Sequence, residues 1–145
     1  MLTYTPKKTK HKKYHKGKRS NYISKYLPIS AIKPKYFAVY SVESAQMSSK
    51  QIFTFYQSLN KYIKKSGKIT MHLFAHLPKT KKPLEVRMGK GKGNVSLWIA
   101  KIKPGVCVCS INTLFPSIAI KAILYAKKKL PFKIATQNNE NNHTL

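Results

Sequence analysis

The segment PKTKKPLEVRMGKGKGN, from Pro78 to Asn94, carries the residue types best suited to contact with phosphate groups. It has no core periodicity, and a loop of that length inside a compact domain is usually functional or disordered. Its three glycines, spaced by two, would let the backbone approach a phosphate or ribose, and the lysines between them supply positive charge. A nucleotide-binding P-loop does not fit, because no Gly-Lys-Ser or Gly-Lys-Thr opens a helix here. Polyanion binding and a mobile linker are the interpretations left open.

Carboxylates that could serve in catalysis are scarce. Glu43, Glu85 and Glu140 are the only ones, and none stands with a histidine or lysine at a recognisable catalytic spacing. A small nucleotide-dependent transferase is therefore the weakest reading of the sequence, and we expect no enzymatic activity.

Metal ligands are equally few. His72 and His76 fall on a predicted strand and its exit, with no third ligand nearby. Cys107 and Cys109 stand one residue apart in an apolar run, which is too close for a typical disulfide and supplies half a metal site at most. We interpret the cysteines as buried thiols and predict neither a metal nor another cofactor.

The charge balance points to a polyanionic partner. Against 29 lysines and arginines stand three acids, for a net charge of +26, and such repulsion needs a polyanion to quench it. Nucleic acid is favoured because each neutralised phosphate releases counterions, and an anionic membrane is the rival. A membrane span needs about 20 apolar residues, but the run from Leu114 to Ala126 is broken by Pro116 and Lys121. We expect no membrane span, and the first twenty residues lack the apolar stretch of an export signal.

The N-terminal residues 1–20, MLTYTPKKTKHKKYHKGKRS, are a charge run without apolar periodicity. We expect an extended arm that orders on its partner, with a merely solvated tail as the alternative. Tyr4 and Tyr14 could stack on exposed bases or anchor the arm to the domain. The arm residues predicted to bind RNA are Lys7, Lys8, Lys10, Lys12, Lys13, His15, Lys16, Lys18 and Arg19.

One helix is predicted from a capping box and a periodic apolar face. Ser48 and Gln51 have the capping-box spacing, and Gly67 is placed to end the helix. The predicted buried face consists of Ile52, Phe55, Tyr56, Leu59 and Ile63.

The other elements indicate an α+β fold. Strands are predicted at 36–42, 68–74, 95–102 and 106–111, with a hairpin turn at 103–105 joining the last two. A second helix is predicted from Thr113, its N-cap, to about residue 129, with 132–136 returning as an edge strand. We predict a two-layer sandwich, a mainly antiparallel sheet with two helices on one face. Its boundaries would be a basic arm at 1–20, a domain at 21–136 and a disordered tail at 137–145.

The run KPLEVRMGKGKGNVSLWIAKIKPG, from Lys82 to Gly105, closely resembles the signature of the large-subunit ribosomal protein L-sixteen family, the bacterial counterpart of the archaeal and eukaryotic L-ten proteins. Three further stretches agree in order and spacing. PKKTKHKKYHKG resembles the basic arm of the family, SSKQI with KKSGKI its first helix and next strand, and AKKKLPFK its helix end.

The resemblance implies a structural protein bound to large-subunit rRNA, without catalytic residues of its own. In that family the glycine-lysine loop extends toward the peptidyl transferase region and the aminoacyl-tRNA (A) site. Carried over, that role falls on Arg87, Met88, Gly89, Lys90, Gly91, Lys92 and Gly93, with Asn94 beside them. The expected partners are large-subunit rRNA, A-site tRNA and neighbouring ribosomal proteins, and a free homo-oligomer is not expected. A basic protein that compacts nucleic acid is the alternative function.

Codon bias adds an expectation about location. Only Arg19 and Arg87 are arginines among the 29 basic residues, a bias typical of AT-rich coding. Because the family-like arm begins at the first methionine, we expect no transit peptide. Together these features favour a protein made inside an organelle, most simply a mitochondrion, with a plastid-type organelle or an AT-rich bacterium as alternatives.

Overall fold

Two antiparallel sheets and two helices form the part of the chain that the computed structural model describes, namely residues 4–15, 17, 36–64, 66–89 and 91–138. In chain order the elements are β1 (Tyr36–Ser41), β2 (Ala45–Ser48), α1 (Ser49–Ile63), β3 (Gly67–Met71), β4 (Leu77–Lys81), β5 (Asn94–Ile102), β6 (Cys107–Thr113), α2 (Pro116–Ala126) and β7 (Ile134–Asn138). The strand orders are β3-β6-β1-β7 and β2-β5-β4. The predicted α+β sandwich is confirmed, although its strands divide between two sheets instead of forming one.

A single apolar core lies where the helices meet the sheets. Helix α1 packs along α2 and contacts β2, β3 and β5, while α2 contacts β6. Buried side chains from both helices and both sheets belong to one contiguous cluster, which includes Met47, Ile52, Phe55, Leu59, Ala100, Val108, Ile111 and Ala122. Because one core joins the two sheets, the segments that connect their strands are held in position relative to each other.

Helix α1 begins as the sequence predicts and ends differently. Ser48 Oγ accepts a hydrogen bond from the Gln51 amide at 3.3 Å, and Gln51 Oε1 accepts from the Ser48 amide at 2.8 Å. The capping box is therefore confirmed. The last helical residue is Ile63, and Lys64 has a positive φ (41°), with its amide bonded to the Asn60 carbonyl.

Gly67 was predicted to end α1, but it is instead the first residue of β3. It lies opposite Thr113 in the β3–β6 pair. A Cβ at this position would lie 2.4 Å from the Asn112 carbonyl oxygen. The glycine is thus required for the close approach of two strands, not for a helix end.

The predicted hairpin between β5 and β6 is wrong. The two strands lie in different sheets. At the turn, the Gly105 amide donates to the Ser41 carbonyl at 2.7 Å, and the Ser41 amide donates to the Val106 carbonyl at 3.0 Å. Because the turn bonds to the end of β1, the chain crosses from one sheet to the other at this point instead of folding back on itself.

The ends of α2 and β7 also differ from the sequence prediction. Thr113 is the last residue of β6, and its Oγ1 accepts from the Phe115 amide at 2.9 Å, so Phe115 takes the N-cap position instead. Strand β7 pairs with β1 as an edge strand, as expected, but includes Gln137 and Asn138, which we assigned to the tail. Within the described ranges, neither helix has the length and apolar content needed to cross a bilayer.

The two cysteines are buried free thiols in β6, as predicted. Desolvation raises the pKa of the Cys107 thiol to about 11. It raises the pKa of the Cys109 thiol further, with the neighbouring Cys107 adding to the effect.

We therefore expect the free energy of unfolding to fall as pH rises from about 9 to about 11. In that window the thiols ionise in the unfolded chain but stay protonated in the folded one. Ionisation therefore lowers the free energy of the unfolded state relative to the folded state. Urea denaturation at several pH values measures the slope. A Cys107→Ala, Cys109→Ala variant should have a shallower slope, because the two buried thiols are gone. Identical slopes in the two proteins would contradict the assignment.

Candidate nucleic-acid interface

The described part of the N-terminal arm, residues 4–15 and 17, contains no helix or strand but is tied to the domain at its start. The Ala75 amide donates to the Tyr4 carbonyl at 3.2 Å, and the Tyr4 ring lies 6.4 Å from the Tyr56 ring. The pKa of Tyr4 is raised, mainly because the side chain is partly buried and to a smaller extent because Tyr56 is close. Of the two roles predicted for Tyr4, the structure supports the anchor.

The arm that leaves this anchor is a row of exposed cations. Every described residue from position 7 to position 15 is exposed. In the described part of the chain, no hydrogen bond or ion pair engages the ammonium groups of Lys7, Lys8, Lys10 and Lys12. Lys16, Lys18 and Arg19, which we also predicted to bind RNA, lie outside the described residues.

The predicted functional loop is shorter than the segment Pro78 to Asn94. Its first four residues belong to β4, which pairs with β5 and forms an edge of the three-stranded sheet, and Asn94 is the first residue of β5. Sequence patterning missed β4 because Pro78 and two exposed lysines interrupt it. An edge strand tolerates both features, since it has hydrogen-bonding partners on one side only. The connection between the strands is residues 82–93, which we call the loop.

The loop presents its side chains to solvent. Leu84 is 97% exposed and Met88 is 100% exposed. Arg87 between them is also exposed, and Lys82 Nζ donates to the Gly89 carbonyl across the loop. Lys90 lies outside the described residues.

The three loop glycines differ in what they do. Gly89 and Gly91 have positive φ values of 100° and 83°, and a Cβ on either would meet nothing within 4 Å. Gly93 is packed at the base of the loop, where a Cβ would lie 2.6 Å from the Lys81 carbonyl oxygen. The first two therefore leave open space beside the backbone, whereas Gly93, for which the same was predicted, is packed against the end of β4.

Arm and loop are joined by a reciprocal pair of hydrogen bonds. Lys13 Nζ donates to the Lys92 carbonyl at 2.6 Å, and Lys92 Nζ donates to the Tyr14 carbonyl. Each ammonium group thus bonds to the backbone of the other segment, although nearly eighty residues separate them in the chain. The two predicted binding segments form one cationic surface, which we call the arm–loop surface. No sequence signal reveals this link, because nothing in the sequence distinguishes Lys13 and Lys92 from the other lysines of the arm and the loop.

Beside this surface, a groove of about 340 Å³ separates the arm from the three-stranded sheet. Its wall is formed by Tyr14, His15 and Gly17 of the arm. Its floor is formed by residues of β2, β4 and β5, namely Gln46, Leu77, Pro78, Lys79, Thr80, Ile99 and Lys101. The groove leaves no signal in the sequence, because its lining comes from four separate segments.

Comparison with known protein families yields a match over nearly the whole chain. The family model for ribosomal protein L16p/L10e matches residues 6–137, from the arm through the loop to β7. The chain belongs to the ribosomal protein L16p/L10e family. The resemblance found in the glycine-lysine signature is thereby confirmed.

Individual L16p/L10e relatives match over nearly their full length. The large ribosomal subunit protein uL16c of Euglena longa is 41% identical over 128 residues, which cover 88% of this chain and 92% of the relative. The large ribosomal subunit protein uL16 of Acinetobacter baumannii (strain ATCC 17978) is 38% identical over 128 residues, covering 88% of this chain and 91% of the relative.

Membership in the L16p/L10e family makes the chain a structural ribosomal protein and not an enzyme. The two histidines considered as metal ligands each lie within hydrogen-bonding distance of another group. His72 Nε2 lies 2.9 Å from Ser110 Oγ, and His76 Nδ1 lies 3.2 Å from the Phe74 carbonyl oxygen. Burial lowers the pKa of His72. No cluster of three or more possible metal ligands occurs among the residues that the structure describes.

The packing of Gly93 leads to a test of the loop base in this L16p/L10e chain. We expect Gly93→Ala to weaken the end of the β4–β5 pair, where Lys81 lies opposite Asn94, by about 1 to 3 kcal/mol of local opening free energy. Hydrogen exchange at those β4 amides near Lys81 that bond to β5 would then be at least several-fold faster. Gly91→Ala is the control: at φ 83° alanine is strained within the loop, but its methyl group meets no atom within 4 Å, so β4 should stay protected. Equal protection in the two variants would contradict the packing role of Gly93.

Proposed function

We propose that this chain is a structural component of the large ribosomal subunit and binds large-subunit rRNA through the arm–loop surface. The observation that carries the proposal is the reciprocal link of Lys13 and Lys92, which brings two cationic segments into one surface. The net charge of +26 requires a polyanionic partner of matching extent. Lysines would contact phosphates for affinity, and RNA shape would provide specificity.

The loop is the part proposed to reach toward the aminoacyl-tRNA site near the peptidyl transferase region. Its support is the signature RMGKGKG at 87–93, together with the complete exposure of Met88 and the open space at Gly89 and Gly91. The two-sheet domain would serve as the rigid base that aims the loop. Neighbouring ribosomal proteins are further proposed partners, and a free homo-oligomer is not.

An organelle ribosome is the proposed location, with the mitochondrion first and a plastid-type organelle as the alternative. The support is the lysine-rich, arginine-poor composition and the similarity to uL16c of Euglena longa. Immunogold labelling of organelles in the source cells would distinguish the two.

Sedimentation in a high-salt sucrose gradient tests the assembly directly. We expect this chain, detected by mass spectrometry, to migrate with the large subunit. Release to the top of the gradient would overturn an integrated ribosomal role. In a parallel binding assay at matched salt, the purified chain should prefer structured RNA to duplex DNA, whereas equal affinity would favour the nucleic-acid-compacting alternative.

Replacing both Lys90 and Lys92 with alanine should leave the fold intact, because Lys92 is exposed and neither residue lies on a core-facing period. Loss of the Lys92 ammonium group releases the Tyr14 carbonyl and so removes one of the two hydrogen bonds that join arm and loop, while the bond from Lys13 Nζ to the Lys92 carbonyl can remain. We expect weaker A-site tRNA binding or accumulation of an incomplete large subunit, measured by filter binding and gradient profiles. Lys68→Ala with Lys103→Ala, exposed lysines outside both segments, is the charge-matched control. Unchanged tRNA binding and profiles in the loop variant would defeat the proposal for the loop.

A further inference from the structure

The groove between the arm and the three-stranded sheet has the size of a small-ligand site. Its volume of about 340 Å³ falls at the lower end of the roughly 300 to 1,000 Å³ typical of such sites. Its floor is one face of the sheet: Gln46 lies opposite Lys101, and Leu77 lies opposite Ile99. Antiparallel partners share a face, so these four side chains form one patch, with Lys79 two residues along β4.

The charges around the groove suit an anion. Lys79 and Lys101 rise from the floor and His15 lies on the wall, while none of the residues that line the groove is acidic. The Lys101 ammonium reaches the arm, since a Cβ on Gly17 would lie 3.2 Å from its Nζ. A phosphate in the groove would therefore meet the ammonium groups of Lys79 and Lys101.

The remaining lining suits a planar base. Tyr14 is 57% exposed and lines the wall, so its ring is available to a ligand. Leu77 and Ile99 supply apolar contact from below, while Gln46 and Thr80 offer hydrogen-bonding groups for a base edge. The arm wall is held in place because the Tyr14 carbonyl accepts from Lys92 Nζ. One nucleotide combines the three features required: an anionic phosphate, an apolar base face and a polar base edge.

We propose that this groove holds a single unstacked nucleotide of the bound RNA, with the base against Tyr14 and the phosphate between Lys79 and Lys101. The inference rests on the proposed RNA-binding function and adds a specific site to it. Arm and sheet would close on the nucleotide from opposite sides, so the RNA would lock the arm against the domain.

Two labelled RNA hairpins test the site with the full-length protein. One carries a single unpaired nucleotide in its stem, and the other has the same stem without it. We expect the wild-type chain to bind the bulged hairpin on the order of tenfold more tightly at matched salt, as stacking of one base predicts. Tyr14→Ala should abolish the preference, and Tyr14→Phe should retain it.

Two lysines of β4 distinguish binding in the groove from a general effect of positive charge. Lys79 and Lys81 are both exposed residues of β4, but only Lys79 lines the groove. Lys79→Ala should reduce the preference for the bulged hairpin, whereas Lys81→Ala should lower affinity for both hairpins equally. Equal binding of the two hairpins by the wild type, or a preference that survives Tyr14→Ala, would overturn the groove site. Duplex DNA bound as tightly as either hairpin would instead overturn the proposed RNA-binding function itself.

Discussion

Removing four positive charges from the arm should weaken RNA binding on the order of a hundredfold and flatten its dependence on salt. The lysines to replace with alanine have ammonium groups without partners among the described residues: Lys7, Lys8, Lys10 and Lys12. Each phosphate contact contributes about 0.7 to 0.9 to the slope of log affinity against log salt, so the slope should fall by roughly three. Fluorescence anisotropy with a fragment of large-subunit rRNA, repeated at several salt concentrations, measures both quantities.

A charge-matched variant distinguishes the contribution of the arm from the effect of net charge. Four exposed lysines of the helices and the turn after α2 serve this purpose: Lys50, Lys61, Lys121 and Lys128. If the arm contacts phosphates directly, replacing these helix lysines should reduce the slope by less than about one. Equal loss in the two variants would mean that binding depends on net charge alone, and the arm would have no special role.

The second large effect concerns the core. Phe55 on α1 is fully buried, so Phe55→Ala should lower the free energy of unfolding by about 3 to 5 kcal/mol, from lost apolar burial and the cavity left behind. A domain of ordinary stability has about 5 to 15 kcal/mol in total, so the variant should unfold at much lower urea concentration. Phe74→Ala makes the same chemical change at a side chain that is 45% exposed. It should cost about 1 kcal/mol or less, and similar costs at both positions would show that α1 does not pack as described.

Local signals in the sequence predicted the elements whose stability is local. The capping box at Ser48 and the apolar period of α1 involve residues within a few positions of each other. Both are confirmed, except that Tyr56, predicted to be on the buried face, is only partly buried. The same reasoning found the cysteine strand and the approximate place of α2, because burial follows apolar periodicity.

Predictions failed where a distant partner decides the outcome. The hairpin at 103–105 depended on turn residues, yet the amide of Gly105 bonds to Ser41, more than sixty positions earlier. Strand β4 has a poor strand sequence and forms because β5 supplies its hydrogen bonds. Gly67 looked like a helix end but is needed for contact with Asn112, which no local pattern specifies.

The sequence by itself indicated the family through the glycine-lysine signature, and it predicted a polyanionic partner for the arm and the loop. A net charge of +26 and the glycine-lysine signature are properties of composition and order, which folding does not change. Only the tertiary structure decided how those segments act together. The division into two sheets, the anchoring of Tyr4, the link between Lys13 and Lys92 and the groove behind Tyr14 all depend on contacts between residues far apart in the chain. Such contacts form because a single core fixes the ends of the arm and loop close together in space, and neither composition nor local periodicity encodes that distance.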